Sequence, residues 1–381
     1  MDCEYFGKCG GCTYLDIPYE KELELKAESL RETFSVGEYG SLIGDVIPSP
    51  VTEGYRNKME FAFGDDGKDG NLALGIRKKR SFYEVAIPDK CILIPEDFKR
   101  ITMYVLDYFR QSNETFFHRK RHIGTLRHLV LRRGTFTGEV LIILSTTSGV
   151  GSLTPLIEGL RQLPLEGKLV GFLHSINEGV ADAVKSENTS LLWGRDYYNE
   201  ELSGLKFKVS AFSFFQTNVA GAEELYSIVR DFATTTPANL AYDLYCGTGT
   251  ISQIISPLFK KVVGIELIED AIKAAKENAE LNNISNCEFY AGDVGAVLGT
   301  ANANVDLVIV DPPRDGLHPK VLPQIAQLNA SKLIYVACKP TSLARDITIL
   351  GKSDYIPDKI VSVDMFPRTP HVECVCLMVR R

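Results

Sequence analysis

The sequence predicts an α/β protein: a doubly wound, mainly parallel sheet after about Leu205, preceded by an α+β region. Two observations predict the sheet. Short apolar runs at 241–245, 261–266, 287–291, 305–310, 332–337 and 372–379 alternate with helical spacing, clearest over 270–282. Several of these runs end in or beside an acid (Asp243, Glu266, Asp293, Asp311), as happens where ligands meet the C-terminal edge of an open parallel sheet. The 381 residues are 45% hydrophobic and 24% charged, with mean hydropathy −0.03, which excludes a disordered or collagen-like chain. No run of about 18 uncharged apolar residues occurs, and Met1-Asp2-Cys3-Glu4 lacks the basic, apolar opening of a signal peptide. A cytoplasmic protein is expected.

Three domains are expected: 1–95 with a cysteine loop and short strands, 96–204 with mixed α+β structure, and 205–381 with the doubly wound sheet. After the cysteine loop, 19–33 has the spacing of a charged amphipathic helix. Strands follow at 57–63, 72–76 and 81–87, the first two separated by a Gly/Asp-rich turn at 64–70. Residues 126–132 and 139–145 form a strand pair around a turn at 134–138.

Nine cysteines in a reducing compartment argue against disulfides. Three are crowded into Cys3-x5-Cys9-Gly10-Gly11-Cys12, where the glycines permit the dihedrals needed to wrap one centre. With Cys91, between Pro88 and Pro95, as fourth ligand, the set fits an iron–sulfur cluster or a tetrahedral zinc. No CxxC pair or nearby histidine completes a zinc-finger pattern, which favours iron–sulfur.

In the second half, Asp243-Leu244-Tyr245-Cys246-Gly247-Thr248-Gly249-Thr250 joins an apolar strand to a helix. Gly247 and Gly249 let a ligand approach the backbone. About 20 residues on, Glu266 ends the next strand, placed to accept two ribose hydroxyls. The third glycine of a dinucleotide fingerprint is missing, which favours a nucleoside cofactor without phosphates, such as S-adenosylmethionine. Asp293 would then reach the adenine, and Asp311 closes the fourth strand.

Asp311-Pro312-Pro313-Arg314 differs from the Asp-Pro-Pro loop of amino-methyltransferases, which place an aromatic residue next. Cys338 follows the strand 332–337, near the charges of Arg314 and Lys339, where its pKa is expected to fall and the thiol to act as a nucleophile. Glu373 enters the last strand near the same edge. This pair suits uracil chemistry. Carbon 5 of the ring is too weak a nucleophile for a sulfonium methyl until a thiolate adds at carbon 6. A base must then remove the carbon-5 proton so that the thiol can leave.

The combination resembles the RNA uracil-5-methyltransferases that make 5-methyluridine in ribosomal and transfer RNA. The matching motifs are the cysteine loop with Cys91, Tyr55-Arg56-Asn57-Lys58, Phe214-Phe215-Gln216-Thr217-Asn218, residues 243–250 and Asp311–Arg314. Cys338-Lys339-Pro340 with Leu343-Ala344-Arg345-Asp346, and His371-Val372-Glu373, complete the set. The resemblance implies a Rossmann-like class I methyltransferase domain behind an iron–sulfur and RNA-binding region. It implies a 4Fe-4S cluster on Cys3, Cys9, Cys12 and Cys91, S-adenosylmethionine against Gln216, Tyr245, Thr250, Glu266, Asp293 and Asp311, and roles for Cys338 as nucleophile and Glu373 as base. Lys339 and Thr250 depart from the residues common at their positions, and the N-terminal RNA-binding barrel of many members is not in this sequence. The RNA expected is 23S rRNA ahead of tRNA.

A net charge of −7 and pI near 5.6 count against an RNA partner, but they are averages. Between Arg77 and Arg133, fourteen Lys and Arg face six acids, a local excess of eight positive charges, and 115–133 holds no acid. Three histidines and Phe116-Phe117 are interleaved there, a composition suited to phosphates and unpaired bases. Arg56, Lys58, Arg119, Lys120, Arg121, Arg127, Arg132, Arg133 and Arg314 are the expected RNA contacts. Two other functions share parts of this pattern: an amine methyltransferase acting through Asp311-Pro312-Pro313, and a non-catalytic iron–sulfur RNA-binding protein.

Overall fold

The structure is a computed structural model, described for all residues except 1–2, 69, 113, 180–187, 235–237 and 299–304. Helix α1 (Tyr19–Ser35) buries Ala27, Leu30 and Phe34 at helical spacing. The next strands are β1 (Lys58–Asp65), β2 (Leu72–Arg77) and β3 (Val85–Ala86). Helix α2 (Glu96–Gln111), the hairpin β4 (Leu126–Arg133) and β5 (Glu139–Thr146), helix α3 (Thr154–Leu160), β6 (Lys168–Ile176) and β7 (Thr189–Gly194) follow. These strands make one sheet in the order β3-β2-β1-β4-β5-β6-β7, antiparallel except for β5 with β6, which α3 connects. The strand expected at 81–87 is cut to two residues. Arg80 is left-handed (φ 62°) and Ser81 Oγ accepts the Glu84 N–H at 2.9 Å, so the chain turns there instead.

A two-stranded ribbon, β8 (Tyr197–Leu202) and β9 (Leu205–Ser210), leads to α4 (Val219–Ala233), capped by the Asn218 side chain. The second sheet contains β10 (Leu240–Leu244), β11 (Lys261–Glu266), β12 (Cys287–Ala291), β13 (Leu307–Val310), β14 (Lys332–Ala337), β15 (Tyr355–Val363) and β16 (Glu373–Arg380). Its helices are α5 (Thr250–Ile255), α6 (Glu269–Leu281), α7 (Val294–Leu298), α8 (Val321–Gln327) and α9 (Pro340–Leu350). The order is β12-β11-β10-β13-β14-β16-β15, parallel through β14 and then antiparallel. Because β16 runs against β14, its first residue lies at the edge where β14 ends. This is the doubly wound, mainly parallel sheet that the alternating pattern predicts.

The expected boundaries need correction. One sheet runs from β1 to β7, so a division at 95/96 cuts through a single folded unit. Residues 19–46 pack on the second sheet: Ala27, Leu30, Phe34, Ile43 and Val46 share a core with Val308 and Val310 of β13 and with Leu343 and Ile347 of α9. Ile43 and Ile47 also bridge to Ile360 and Val363 in parallel. The opposite face of this sheet shares a core with Val130, Leu141 and Ile143 of the first sheet.

A buried charge network ties residues 13–26 to the segment before β16. Lys26 Nζ lies 2.7 Å from both Glu22 Oε1 and Asp364 Oδ1. Tyr19 donates to Asp364 at 2.9 Å, the Arg368 N–H donates to Glu22 at 2.7 Å, and the Thr13 N–H donates to the Arg368 carbonyl at 2.7 Å. Two cations offset two carboxylates, which is the condition for burying such a group. Among the described residues, no helix is long and apolar enough to cross a membrane.

Candidate active site and cysteine centre

The β10–α5 turn needs its glycine. Gly249 has φ +74°, and a Cβ there would meet the Phe289 ring at 2.7 Å. Tyr245 is also left-handed, at φ 65°. The Glu266 carboxylate accepts the Gly247 N–H at 3.3 Å and the Ile268 N–H at 3.0 Å, which fixes its position at the end of β11. Thr250 begins α5, and exposed Asp293 accepts the Ala296 N–H at the start of α7. Burial first, and then the carboxylates of Asp293, Asp346 and Glu266, push the Tyr245 phenol up to about 12. Asp243, buried on β10, accepts the Ser252 hydroxyl at 2.5 Å, and burial raises it to about 7. Asp311, at the end of β13, is raised to about 7 by burial and then by the Asp243 charge. Gln216 donates to the Tyr226 hydroxyl at 3.2 Å, and Tyr226 in turn feels Asp311, Glu373 and Asp243. The expected cofactor residues therefore gather along the β11-β10-β13 edge.

Strand pairing brings Cys338 and Glu373 together. Ala337 is opposite Cys374, which leaves Cys338 just past the end of β14 and Glu373 at the start of neighbouring β16. Cys338 is half-buried, whereas Glu373 is 4% exposed. Burial, then Asp311, push the Glu373 carboxyl up to about 8, and Arg314 opposes this. The expected lowering of the Cys338 pKa is not found. Burial, Glu373 and Asp311 raise the thiol, and Arg314 is the opposing side-chain charge. Lys339 is exposed at the N-cap position of α9, makes no side-chain cap there, and is not among the charges that act on the thiol.

Cys3, Cys9, Cys12 and Cys91 line one largely apolar cavity with Leu15, Ile76 and Leu93. The Gly11 N–H donates to Cys9 Sγ at 3.1 Å. Burial raises Cys9, Cys91 and Cys12, the last to about 12, and each is raised further by other thiolates of the set. Among the described residues, no group of three or more His, Cys, Asp or Glu forms a site that could hold one metal ion.

A family model described as tRNA (Uracil-5-)-methyltransferase matches residues 172–291, and one described as a methyltransferase domain matches 240–363. An RNA methyltransferase of Clostridium tetani, described as uncharacterized, is 45% identical over 383 residues, covering 100% of this chain and 84% of the relative. A similarly described protein of Clostridium acetobutylicum is 46% identical over 385 residues, with the same coverage. The chain belongs to the tRNA (uracil-5-)-methyltransferase-like family. Its members are S-adenosylmethionine-dependent RNA methyltransferases. The crystal structure of Pyrococcus abyssi tRNA (uracil-54, C5)-methyltransferase with S-adenosyl-L-homocysteine superposes at TM-score 0.81 and 28% identity, covering 97% of this chain and 86% of that one.

The expected RNA contacts of this methyltransferase divide by burial. Arg132 is 1% exposed and donates to the carbonyls of Ser210, Ala211 and Ser213. Arg127 is 3% exposed, donates to the Asn177 and Gly179 carbonyls and stacks on Phe117. Arg133 pairs with buried Asp97 at 3.2 Å. Arg127 and Arg132 hold backbone and core together, which speaks against them as RNA contacts, whereas Arg133 stays partly exposed. Their charge run contains no sign of burial, because a strand interior and a basic surface can share a composition. Lys120 and Arg121 are exposed on the turn after His118, which stacks on Tyr83 at 4.3 Å, and Arg119 lies beside them. Arg56 and Lys58 are half-buried, and Arg314 is exposed beside Cys338. Sequence reasoning missed Tyr226 and Ser252. Each occupies a helical position that reads as core or cap until the tertiary contacts are seen.

Proposed function

We propose that this methyltransferase transfers the methyl group of S-adenosylmethionine to carbon 5 of a uridine in RNA. Cys338 forms the adduct at carbon 6 and Glu373 acts as base. The observation that carries this is the placement of a thiol and a buried carboxyl side by side on β14 and β16, with Arg314 acting on both. Gln216, Tyr245, Gly247, Thr250, Glu266, Asp293 and Asp311 are proposed to hold the cofactor. Bound there, S-adenosylmethionine supplies an electrophilic methyl.

Charge accounting supports the roles. Burial and the Asp311 charge oppose a second negative charge beside Arg314, so of Cys338, the ring and Glu373 one carries the negative charge at each stage. Before attack it is the Cys338 thiolate, with Glu373 neutral. After addition the charge lies on the ring enolate, and methylation discharges it. Glu373 then loses a proton to solvent, takes the carbon-5 proton as carboxylate, and the Cys338–carbon-6 bond breaks to restore the thiolate. The net release is one proton, as methylation of carbon by a sulfonium requires. A single-turnover assay with labelled methyl donor should place label at uracil carbon 5; label on an amine or none on RNA would reject the proposal. The target uridine must leave its stack at a cost of roughly a few kcal/mol, which favours loops. The matched family and the solved relative carry tRNA in their names. Mapping 5-methyluridine in tRNA and 23S rRNA after gene deletion distinguishes tRNA from the rRNA expected from sequence.

The cysteine centre is proposed to hold a 4Fe-4S cluster. Four half-buried cysteines line one apolar cavity, and the thiols of Cys9, Cys12 and Cys91, raised by burial and by their neighbours, would be relieved by a cluster that takes them as thiolates. Protein purified without oxygen should be brown, absorb near roughly 400 nm and contain about four irons. Stoichiometric zinc without iron would refute this.

The first sheet and its exposed loops are proposed as the RNA-binding part. Replacing Lys120 and Arg121 by alanine should weaken RNA binding at all sequences and reduce the salt slope by about 1 to 2. An unchanged slope in a salt-titrated binding assay would remove this turn from the interface.

A further inference from the structure

The Leu343-Ala344-Arg345-Asp346 motif lies on α9, where the proposed chemistry gives it no role. This helix starts immediately after Cys338 and Lys339, so its first turn is covalently joined to the nucleophile. Three of its side chains hold the loop that carries Arg314. Ser342 Oγ donates to the Arg314 carbonyl at 2.8 Å, and Arg345 donates to the Asp315 carbonyl at 2.8 Å. Asp346, completely buried, accepts the Leu317 N–H at 2.8 Å. The same Asp346 oxygen accepts the Tyr335 hydroxyl at 2.7 Å, and Tyr335 lies on β14, three residues before Cys338. Between these bonds, Gly316 (φ +79°) lies flush against the helix: a Cβ there would stand 2.5 Å from Asp346 Oδ2 and 3.1 Å from Ser342 Cβ. The outer loop, Pro313 to Asp315, is exposed.

We infer that α9 is a bracket fixing the Arg314 loop relative to Cys338, and that Ser342 and Asp346 are positioning residues for the reaction. The inference rests on the proposed role of Cys338 with Arg314 as its neighbouring cation. A flexible arginine on an exposed loop would be spread over many rotamers and partly screened by water. Anchoring the loop backbone at Arg314 itself and at the residues that follow it limits that spread, and anchoring it through the helix that follows Cys338 keeps the two groups in one frame. Asp346 touches neither thiol nor substrate in this account and acts only through what it holds.

The sign of the effect separates positioning from simple electrostatics. Removing the Asp346 charge would by itself favour a nearby thiolate, whereas releasing Arg314 disfavours it. The test is alkylation of Cys338 across pH, followed peptide by peptide by mass spectrometry on the full-length protein without RNA. Arg314→Ala should move the alkylation profile to higher pH. Ser342→Ala, Asp346→Asn and Gly316→Ala should move it the same way by about half a unit to one unit, a roughly three- to tenfold loss of thiolate at neutral pH. Their kcat should fall by a similar factor, with KM for RNA less affected.

If Asp346→Asn or Gly316→Ala does not fold, Ser342→Ala decides the matter, since it removes one hydroxyl and the single hydrogen bond to the Arg314 carbonyl. Unmoved profiles in the folded variants, with Arg314→Ala shifted, would overturn the bracket while leaving the proposed chemistry intact. So would a lowered Tm without any change in profile. An unmoved profile in Arg314→Ala itself would instead reject the proposed pairing of Arg314 with Cys338.

Discussion

Cys338→Ala is expected to abolish RNA methylation, a loss on the order of 10⁴-fold or more, and to eliminate any covalent RNA–protein species. The size follows from the chemistry: without addition at carbon 6 the ring has no enolate, and no neighbouring group replaces the thiol. Cys374 and Cys376 are on the adjacent strand but fully buried, and Cys246 is buried at the end of β10. Cys338→Ser should fail almost as badly, because a hydroxyl in this setting remains protonated. In the unsubstituted protein, burial, Glu373 and Asp311 hold the thiol above its usual range. The thiolate fraction, and with it the rate of adduct formation, should therefore rise with pH through neutrality. Rapid-quench methyl transfer measured from about pH 6 to 9 reads this slope. Activity of Cys338→Ala within tenfold of the parent would exclude the covalent route and favour an amine substrate.

Glu373→Gln should stop the cycle one step later. Addition and methylation remain possible, but the carbon-5 proton stays in place, so turnover falls by roughly 10²- to 10⁴-fold and the methylated adduct accumulates. A denaturing gel with labelled methyl donor would show the label travelling with protein-bound RNA; rapid release of methylated RNA would assign the base elsewhere. The same substitution carries an opposite prediction for stability. The folded-state pKa of Glu373, about 8, lies above that of an unfolded glutamate. Its stability contribution is therefore complete below about pH 4.3 and is lost as pH rises through about 8. Glutamine removes that loss, so Glu373→Gln should raise Tm at about pH 8 to 9 by about 2 °C or more, with little difference at about pH 4. An inactive variant that melts higher would identify a carboxyl kept for chemistry at the expense of the fold.

Much of this is legible in the sequence because it is local. The spacing that predicts 261–266, 287–291 and 332–337 as strands matches β11, β12 and β14, since each is a short apolar run bounded by polar turns. The acids at strand ends can be read because a parallel sheet converts sequence order into position along one edge. What the sequence does not show depends on distant partners. Nothing near Arg132 announces the Ser210, Ala211 and Ser213 carbonyls that consume its donors, so a buried brace reads as an RNA contact. The direction of the Cys338 shift is misleading in sequence for a related reason. Arg314 and Lys339 are expected to lower the pKa, but burial and the carboxylates delivered by β13 and β16 outweigh Arg314. The domain boundary fails because α1, early in the chain, completes the core of the last sheet.

The charge network between Glu22, Lys26, Asp364 and Arg368 also has a consequence during synthesis. Lys26 and Asp364 are 338 residues apart, so the ribosome makes one partner long before the other. Until the later segment emerges, Lys26 and Glu22 have no buried environment to enter, and α1 lacks the sheet against which its apolar face packs. The nascent N-terminal segment must stay open to solvent, or to a chaperone, until nearly all of the second sheet has been translated. The cysteine loop is held from two sides: Lys8 and Cys9 pair with Lys79 and Lys78 early in the chain, whereas Thr13, the residue after the loop, bonds to Arg368 near its end. A truncated nascent chain therefore has the four cysteines and their cavity but lacks the late anchor at Arg368 that joins this loop to the segment leading to the base.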